Sequence, residues 1–257
     1  ARIVSADRSL LRMVWRWRVE RGASFRSQEA LAAHLEACGA AQGPRVCAAL
    51  AAVDRVRYGG AYRDEPQPLT HGATISAPSI HALALTLLAP CLPTDGVALD
   101  VGAGSGYLCA CLAHLCGEGG RVYGVEMVPA LASQALANVR SANAALADRV
   151  YMCCCDGHHG LPQAAPFHVI HVGAAALDIP QDLVAQLRLG GRMVIPVGPQ
   201  AGEQSLMVVD RGLDNGIKVK RICGVRFVPL QDCSSWWRKP PNNRRQRRSA
   251  RARRDAG

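Results

Sequence analysis

A chain of 257 residues, 49% of them hydrophobic, is long enough for one large domain with extensions and rich enough in apolar side chains to build a core, which excludes disorder throughout. Its formal net charge of +10 suggests a nucleic-acid binder until it is divided: residues 1–27 carry net +5 and residues 238–257 net +8, leaving net −3 on residues 28–237. The globular part is therefore slightly acidic, and the basic character belongs to the two ends.

Residues 1–26 are expected to form a basic amphipathic extension, since Arg8, Arg12 and Arg16 fall on one helical face and Leu10, Val14 and Trp17 on another. Arginines interrupt its apolar run, which argues against a secretory segment, and no stretch of the chain approaches the roughly 20 apolar residues of a membrane span. A globular domain is expected over residues 27–237. It opens with two helices: "SQEALAAHLEACG" is entered at Ser27 and closed by Gly39, and "GPRVCAALAAV" carries Pro44 near its first turn.

Next comes "THGATISAPSIHALAL", residues 70–85, where a polar, turn-forming stretch runs straight into an apolar helix beginning near Pro78. Two readings of its serines stand side by side. Ser76 or Ser79 can cap the helix by accepting a backbone N–H that otherwise lacks a partner. Alternatively, a hydroxyl beside a helix N-terminus makes a site for a carboxylate or phosphate.

From residue 97 short β-type runs alternate with helical ones: "VALDV", "GYLCACLAHLC", "RVYGVE", "PALASQALANVR", "VYMCCC", "HVIHVG", "PQDLVAQLR" and "RMVIPVG". Such alternation predicts a parallel sheet covered by helices, with ligands at the carboxyl ends of the strands. The final "QSLMVVDR" and "IKVKRICGVRFVPL" read as strands without an intervening helix and predict an antiparallel pair at the sheet edge.

"ALDVGAGSGYL" places Gly102, Gly104 and Gly106 directly after a strand and at the start of a helix, with Tyr107 where a dinucleotide fingerprint wants glycine. Three carboxylates follow in order. Asp100 ends the first strand, where it can meet a positive charge. Glu126 ends the next, where a doubly wound fold holds ribose hydroxyls. Asp156, with Gly157 after it, ends the third and can accept from an adenine amino group. Their spacing fits a nucleoside with a cationic tail better than a pyrophosphate.

With these features the chain resembles the S-adenosyl-L-methionine-dependent methyltransferases. Through "GATISAPSIHALAL", "ALDVGAGSGYL", "HVIHVGAAA", "LRLGGRMVIPVGP" and "GVRFVPL", in that order, it resembles one family among them, the protein-L-isoaspartate (D-aspartate) O-methyltransferases. The resemblance covers about residues 27–237. It implies an α/β fold with a seven-stranded, mostly parallel, doubly wound sheet, added N-terminal helices and an antiparallel C-terminal strand region. It also implies S-adenosyl-L-methionine as cofactor and no metal. The activity implied is repair: methylation of the free α-carboxylate of L-isoaspartyl, and also D-aspartyl, residues in damaged peptides and proteins, after which the ester closes to a succinimide that hydrolyses partly to aspartate.

The same resemblance places Ser76 beside the substrate carboxylate as the catalytic, orienting hydroxyl, next to Ala77 on the substrate side. His81, one helical turn beyond Pro78, has two readings, a residue bordering the substrate or the cofactor and a structural one, and His171 in "HVGAAA" ends a strand over the same pocket. Val172, Gly173 and Ala174, together with the 226–230 segment that contains Val228, are expected to hold the peptide through main-chain groups. Asp100, Gly102, Gly104, Gly106, Glu126, Asp156 and Gly157 make the expected cofactor site. The competing readings are a methyltransferase for another acceptor and a non-catalytic nucleic-acid-binding protein. The fourth strand ends in "HVGAAA" rather than in an Asn/Asp-Pro-Pro-aromatic motif. Cys91 precedes the glycine loop, the wrong order for a pyrimidine C5 nucleophile.

Residues 238–257 have no apolar periodicity and are expected to form a disordered basic tail making weak contact with nucleic acid or an anionic surface. Eleven cysteines, including the run at 153–155, show no paired metal-ligand spacing and suggest a reducing compartment. A cytoplasmic monomer is expected, with mitochondrial or nuclear location left open by the basic ends.

Overall fold

The structure, a computed structural model, describes residues 22–232. The amphipathic face at residues 8–17 and the basic tail at 238–257 lie outside them.

The chain begins with helices α1 (Gln28–Ala37) and α2 (Pro44–Ala52). The Ser27 hydroxyl caps α1 by accepting from the Ala30 amide at 3.3 Å, and Leu31 and Leu35, one turn apart, bury the same face. A short antiparallel pair, β1 (Gln67–Pro68) and β2 (Thr74–Ile75), then leads into α3 (Pro78–Leu88). The alternating region follows as β3 (Val97–Val101), α4 (Tyr107–Cys116), β4 (Arg121–Val125), α5 (Pro129–Ala142), the short α6 (Ala144–Ala147), β5 (Val150–Cys153), β6 (Phe167–Val172), α7 (Gln181–Ala185), β7 (Leu187–Val197), β8 (Gln204–Arg211) and β9 (Ile217–Val225).

Strands β3 to β9 form one sheet in the order β5-β4-β3-β6-β7-β8-β9. The first five strands of that order are parallel, and β8 and β9 add antiparallel at the far edge. The expected mixed, mostly parallel sheet is thus present. Strand β7 starts earlier than "RMVIPVG" suggests, at Leu187, and shortens the expected helix over 180–188 to α7. The reason is tertiary: Leu187 pairs with Phe167, and the register then jumps to Val169 opposite Arg192, so the intervening segment with Gly190 and Gly191 is absorbed as an irregularity.

Because side chains alternate along a strand, each strand feeds both faces. Ala98, Val169 and Val194 pack with α1 to α4 in one cluster, whereas Leu99, Val101, Ile170, Val172, Met193 and Ile195 pack with α7 in the other. Cys109, Cys111 and Cys116 on α4 are fully buried and act as small hydrophobes. The alternation puts Asp100 on the face of Ala98 and His171 on the face of Val169, and the parallel register sets these two polar residues opposite each other. Strand β3 has β4 on one side and β6 on the other, so the chain reverses its winding direction between them. That switch point, at the carboxyl ends of β3 and β6, is where an open α/β sheet leaves a crevice. Among the described residues no helix is long and apolar enough to cross a membrane.

Candidate active site

A cleft of about 350 Å³, partly open to solvent, lies at this switch point. It is lined by Ser76, His81, Asp100, Gly102, Gly104 and His171, and also by Gly173 and the first residues of the α4 helix. Three segments far apart in the chain therefore converge: the turn before α3, the end of β3 with its glycine loop running into the start of α4, and the end of β6.

The glycine loop turns sharply, with Gly102, Gly104 and Gly106 all at positive φ, and Gly106 takes the position before α4. Gly104, at φ 54°, directs its amide to Glu126 Oε2 at 3.0 Å, and the Val128 amide reaches Oε1 at 3.0 Å. Glu126 follows the last residue of β4 and is buried. Burial pushes its carboxyl above the usual carboxylate range, and the amides of Val128 and Gly104 pull the other way. Each carboxylate oxygen has a second lone pair, so the group keeps acceptor capacity beyond these two bonds.

Asp100 is 1% exposed and His171 5% exposed, and each satisfies the other through a 2.7 Å contact between Oδ1 and Nδ1. The second oxygen of Asp100 accepts from the Cys109 thiol at 3.2 Å, and burial followed by the charge of Asp100 holds that thiol well above its usual pKa. Asp100 therefore reaches the cleft as half of a buried pair with His171, a partner that nothing in the local sequence around either residue reveals.

Ser76 is half-buried, and its hydroxyl has no partner among the described residues. Neither Ser76 nor Ser79 caps α3: the residue before the helix is Ala77, without a side-chain cap, and the Ser79 amide is met by Asp64 Oδ1 at 2.8 Å. The capping expectation is corrected accordingly. Asp64, fifteen residues upstream, performs that task, and Ser76, free of it, lines the cleft. His81 is buried on α3. Burial first, then Arg55 and His171, keep its pKa well below the usual histidine range, so the ring is neutral.

The remaining expected residues are spread around this centre. Asp156 does not end β5, which stops at Cys153. It caps a tight turn at 157–159 by accepting from the His158 amide at 2.9 Å, and its Oδ1 also lies 2.8 Å from His158 Nδ1. A Cβ at Gly157 would come within 2.6 Å of Val101 Cγ1, so the turn packs directly on β3. Val172 is the last residue of β6 and is wholly buried, whereas Ala77 and Ala174 are nearly so. The Gly173 amide donates to the Val101 carbonyl at 2.8 Å. Val228, 41% exposed, accepts from the Ala175 amide at 2.8 Å, and the Leu230 amide donates back to Ala175, so the 226–230 segment leaves β9 and runs beside the end of β6. Buried Gln204 holds the segment from behind by bonding both main-chain groups of Phe227.

Two residues around the cleft carry no sequence signal of their role. Tyr107, the first residue of α4, is buried against Tyr58 at 5.6 Å and His81 at 5.2 Å between ring centres. Arg55 is 0% exposed and donates to the Ser76 carbonyl at 2.7 Å.

The family profile described as protein-L-isoaspartate(D-aspartate) O-methyltransferase (PCMT) matches residues 26–235. A protein-L-isoaspartate O-methyltransferase of Triticum aestivum is 42% identical over 219 residues, 82% of this chain and 94% of the relative. One of the same name from Aeropyrum pernix is 42% identical over 224 residues, 84% of each chain. Among solved structures, one described as a beta-aspartate methyltransferase (PCMT) from Plasmodium falciparum, in complex with S-adenosyl-L-homocysteine, superposes with a TM-score of 0.74 at 30% identity, covering 80% of this chain and 99% of that one. Another protein-L-isoaspartate O-methyltransferase structure shares the fold at a TM-score of 0.71 and 23% identity, covering 80% of this chain and 66% of that one.

Proposed function

The chain belongs to the protein-L-isoaspartate(D-aspartate) O-methyltransferase family, and from that premise we propose how its own residues serve the reaction. The protein is an S-adenosyl-L-methionine-dependent carboxyl O-methyltransferase that acts on L-isoaspartyl residues in protein repair. The observation that carries the assignment of roles is the Ser76 hydroxyl, unpartnered among the described residues, on the same cleft as the glycine loop.

The substrate α-carboxylate has an ordinary pKa of about 3.3–3.7 and is ionised at neutral pH, so no residue need remove a proton from it. S-adenosyl-L-methionine, when bound, supplies a methyl group on a cationic sulfur, which the carboxylate oxygen takes while the S–CH3 electron pair stays with sulfur. What remains for the protein is alignment and exclusion of water, and such positioning contributes on the order of 7–11 kcal/mol in favourable cases. Ser76 offers a neutral hydroxyl that orients the carboxylate without the full charge that would blunt it as a nucleophile. His81, neutral in its buried position, borders the same space beside Ala77.

The residues present suit the cofactor. The buried Glu126 carboxylate has spare acceptor capacity for ribose hydroxyls, and the glycine loop brings bare main chain to the cleft wall. Asp100 contributes negative charge beneath the site, and Asp156 with Gly157 forms its adenine end. Gly173 and Ala174, continuous with Val172, and the exposed Val228 edge offer main-chain groups to the substrate peptide. That mode of recognition tolerates many flanking sequences.

Replacing Glu126 by Ala is expected to weaken binding of both the cofactor and S-adenosylhomocysteine by about 1.5–3 kcal/mol, the range for hydrogen bonds to a charged group. Calorimetric titration of the folded variant checks this, and unchanged affinity would remove Glu126 from the site. The basic C-terminus is proposed to act outside the reaction in a monomeric enzyme. Removing residues 238–257 should leave turnover on short isoaspartyl peptides nearly intact while reducing retention on heparin at low salt, because its nine cationic side chains act through counterion release. A large loss of peptide turnover would make the tail part of the enzyme.

A further inference from the structure

The residue that the reaction does not yet use is Arg55. Its guanidinium is wholly buried, yet no carboxylate among the described residues lies within 4 Å of it, and Asp64 acts on it only from beyond that distance. Its Nε has no hydrogen-bond partner, and Gly60 is glycine at a place where a Cβ would fall 2.6 Å from that atom. A buried cation without a counter-ion carries a desolvation cost that its hydrogen bonds only partly offset. Structure alone therefore gives no reason to keep it.

What Arg55 touches gives one. Nη2 donates to the Ser76 carbonyl at 2.7 Å, Nη1 lies 3.3 Å from His81 Nδ1, and the guanidinium carbon sits 5.4 Å over the Tyr107 ring. A guanidinium has only donors, so Nδ1 of the neutral His81 is the acceptor and the ring proton is on Nε2. Arg55 is itself anchored, since its amide donates to Gln28 Oε1 at 3.1 Å and Gln28 Nε2 donates to the Leu50 carbonyl at 2.5 Å.

We propose that Arg55 is a positioning residue for methyl transfer: by pinning the main chain of Ser76 and fixing the tautomer of His81, it presents two neutral donors, the Ser76 hydroxyl and His81 Nε2–H, to the substrate carboxylate. The proposal rests on the methyltransferase reading above. It explains why both donors are neutral although a full positive charge lies directly behind them: the cation orients the carboxylate through its neighbours and does not pair with it.

The test uses the full chain with Arg55→Met and Arg55→Lys, read by a melting curve, by steady-state kinetics on an isoaspartyl peptide, by S-adenosylhomocysteine affinity, and by the nitrogen NMR shifts of the His81 ring. Arg55→Met is expected to remain folded, to lose about 10-fold or more in kcat through misorientation, to keep its S-adenosylhomocysteine affinity, and to show His81 as a mixture of tautomers. Arg55→Lys keeps the charge but not the fork, so it should recover part of kcat and part of the single-tautomer signal. If Arg55→Met does not fold, Arg55→Lys alone decides by the same readings. Parental kcat with an unaltered His81 tautomer overturns the proposal, as does a loss of kcat matched by an equal loss of S-adenosylhomocysteine affinity, which marks a structural role. A parent protein inactive on the isoaspartyl peptide would count against the reaction, and the tautomer measurement would still judge Arg55.

Discussion

Replacing Gly104 by Val is expected to abolish measurable binding of S-adenosylmethionine and S-adenosylhomocysteine while the protein stays folded. Gly104 sits at φ 54°, a conformation that a β-branched residue adopts only under strain of about 1–3 kcal/mol. An added Cβ would meet Leu69 Cδ1 at 3.6 Å, an ordinary contact, so the variant suffers from its backbone and not from a collision with the core. Relief of that strain turns the peptide that now donates to Glu126 and swings the new side chain toward the cleft that Gly104 lines. The loss should therefore exceed that of Glu126→Ala, which removes the acceptor but leaves the loop's shape. Calorimetric titration beside a melting curve measures both, and parental affinity in a folded Gly104→Val protein would contradict the cofactor-site assignment.

The second large effect is expected at Ser76. Ser76→Ala should cut turnover on isoaspartyl peptides about 10- to 100-fold, equivalent to about 1.4–2.7 kcal/mol, with cofactor affinity little changed. An N-capping serine would instead cost about 1 kcal/mol of stability and leave turnover alone. Since Asp64 supplies the hydrogen bond to the Ser79 amide, the melting curve of Ser76→Ala should match the parent. Saturating methylation rates and melting curves separate the two roles, and a normal rate in a less stable variant would refute the orienting one. Ser76→Thr keeps the hydroxyl and should retain part of the activity unless the added methyl overfills the half-buried position.

Much of this arrangement is legible in the residues. The alternation from residue 97 onward reports its sheet because the period-2 and period-3.6 patterns are local, and each run lies near the strand or helix it forms. Glu126 can be placed for the same reason, since the end of an apolar strand run is visible without knowing its neighbours. Relations across the fold are not visible in this way. The pairing of Asp100 with His171 spans 71 residues and follows from the β3/β6 register. The capping of α3 by Asp64 comes from a segment with no periodicity. Arg55 follows Asp54 and resembles a solvated ion-pair residue, yet packing buries it, and the Gly59–Gly60 pair is the nearest hint of the space it occupies. Asp156 lies three residues beyond the end of β5, and the sequence hides this because "VYMCCC" continues the apolar pattern beyond the strand's last pairing at Cys153. The 226–230 segment reads as a continuation of β9, but only the fold shows that it leaves that strand to run beside Ala175 at the mouth of the switch point.

The most direct measurement follows labelled methyl groups from S-adenosylmethionine to two synthetic peptides of one sequence, one with an L-isoaspartyl residue and its twin with normal L-aspartate. The account predicts base-labile label in the isoaspartyl peptide alone, because the cleft orients a free α-carboxylate that the normal linkage ties up in the main chain. Equal labelling of both peptides, or none of either by folded protein that binds S-adenosylhomocysteine, would contradict it.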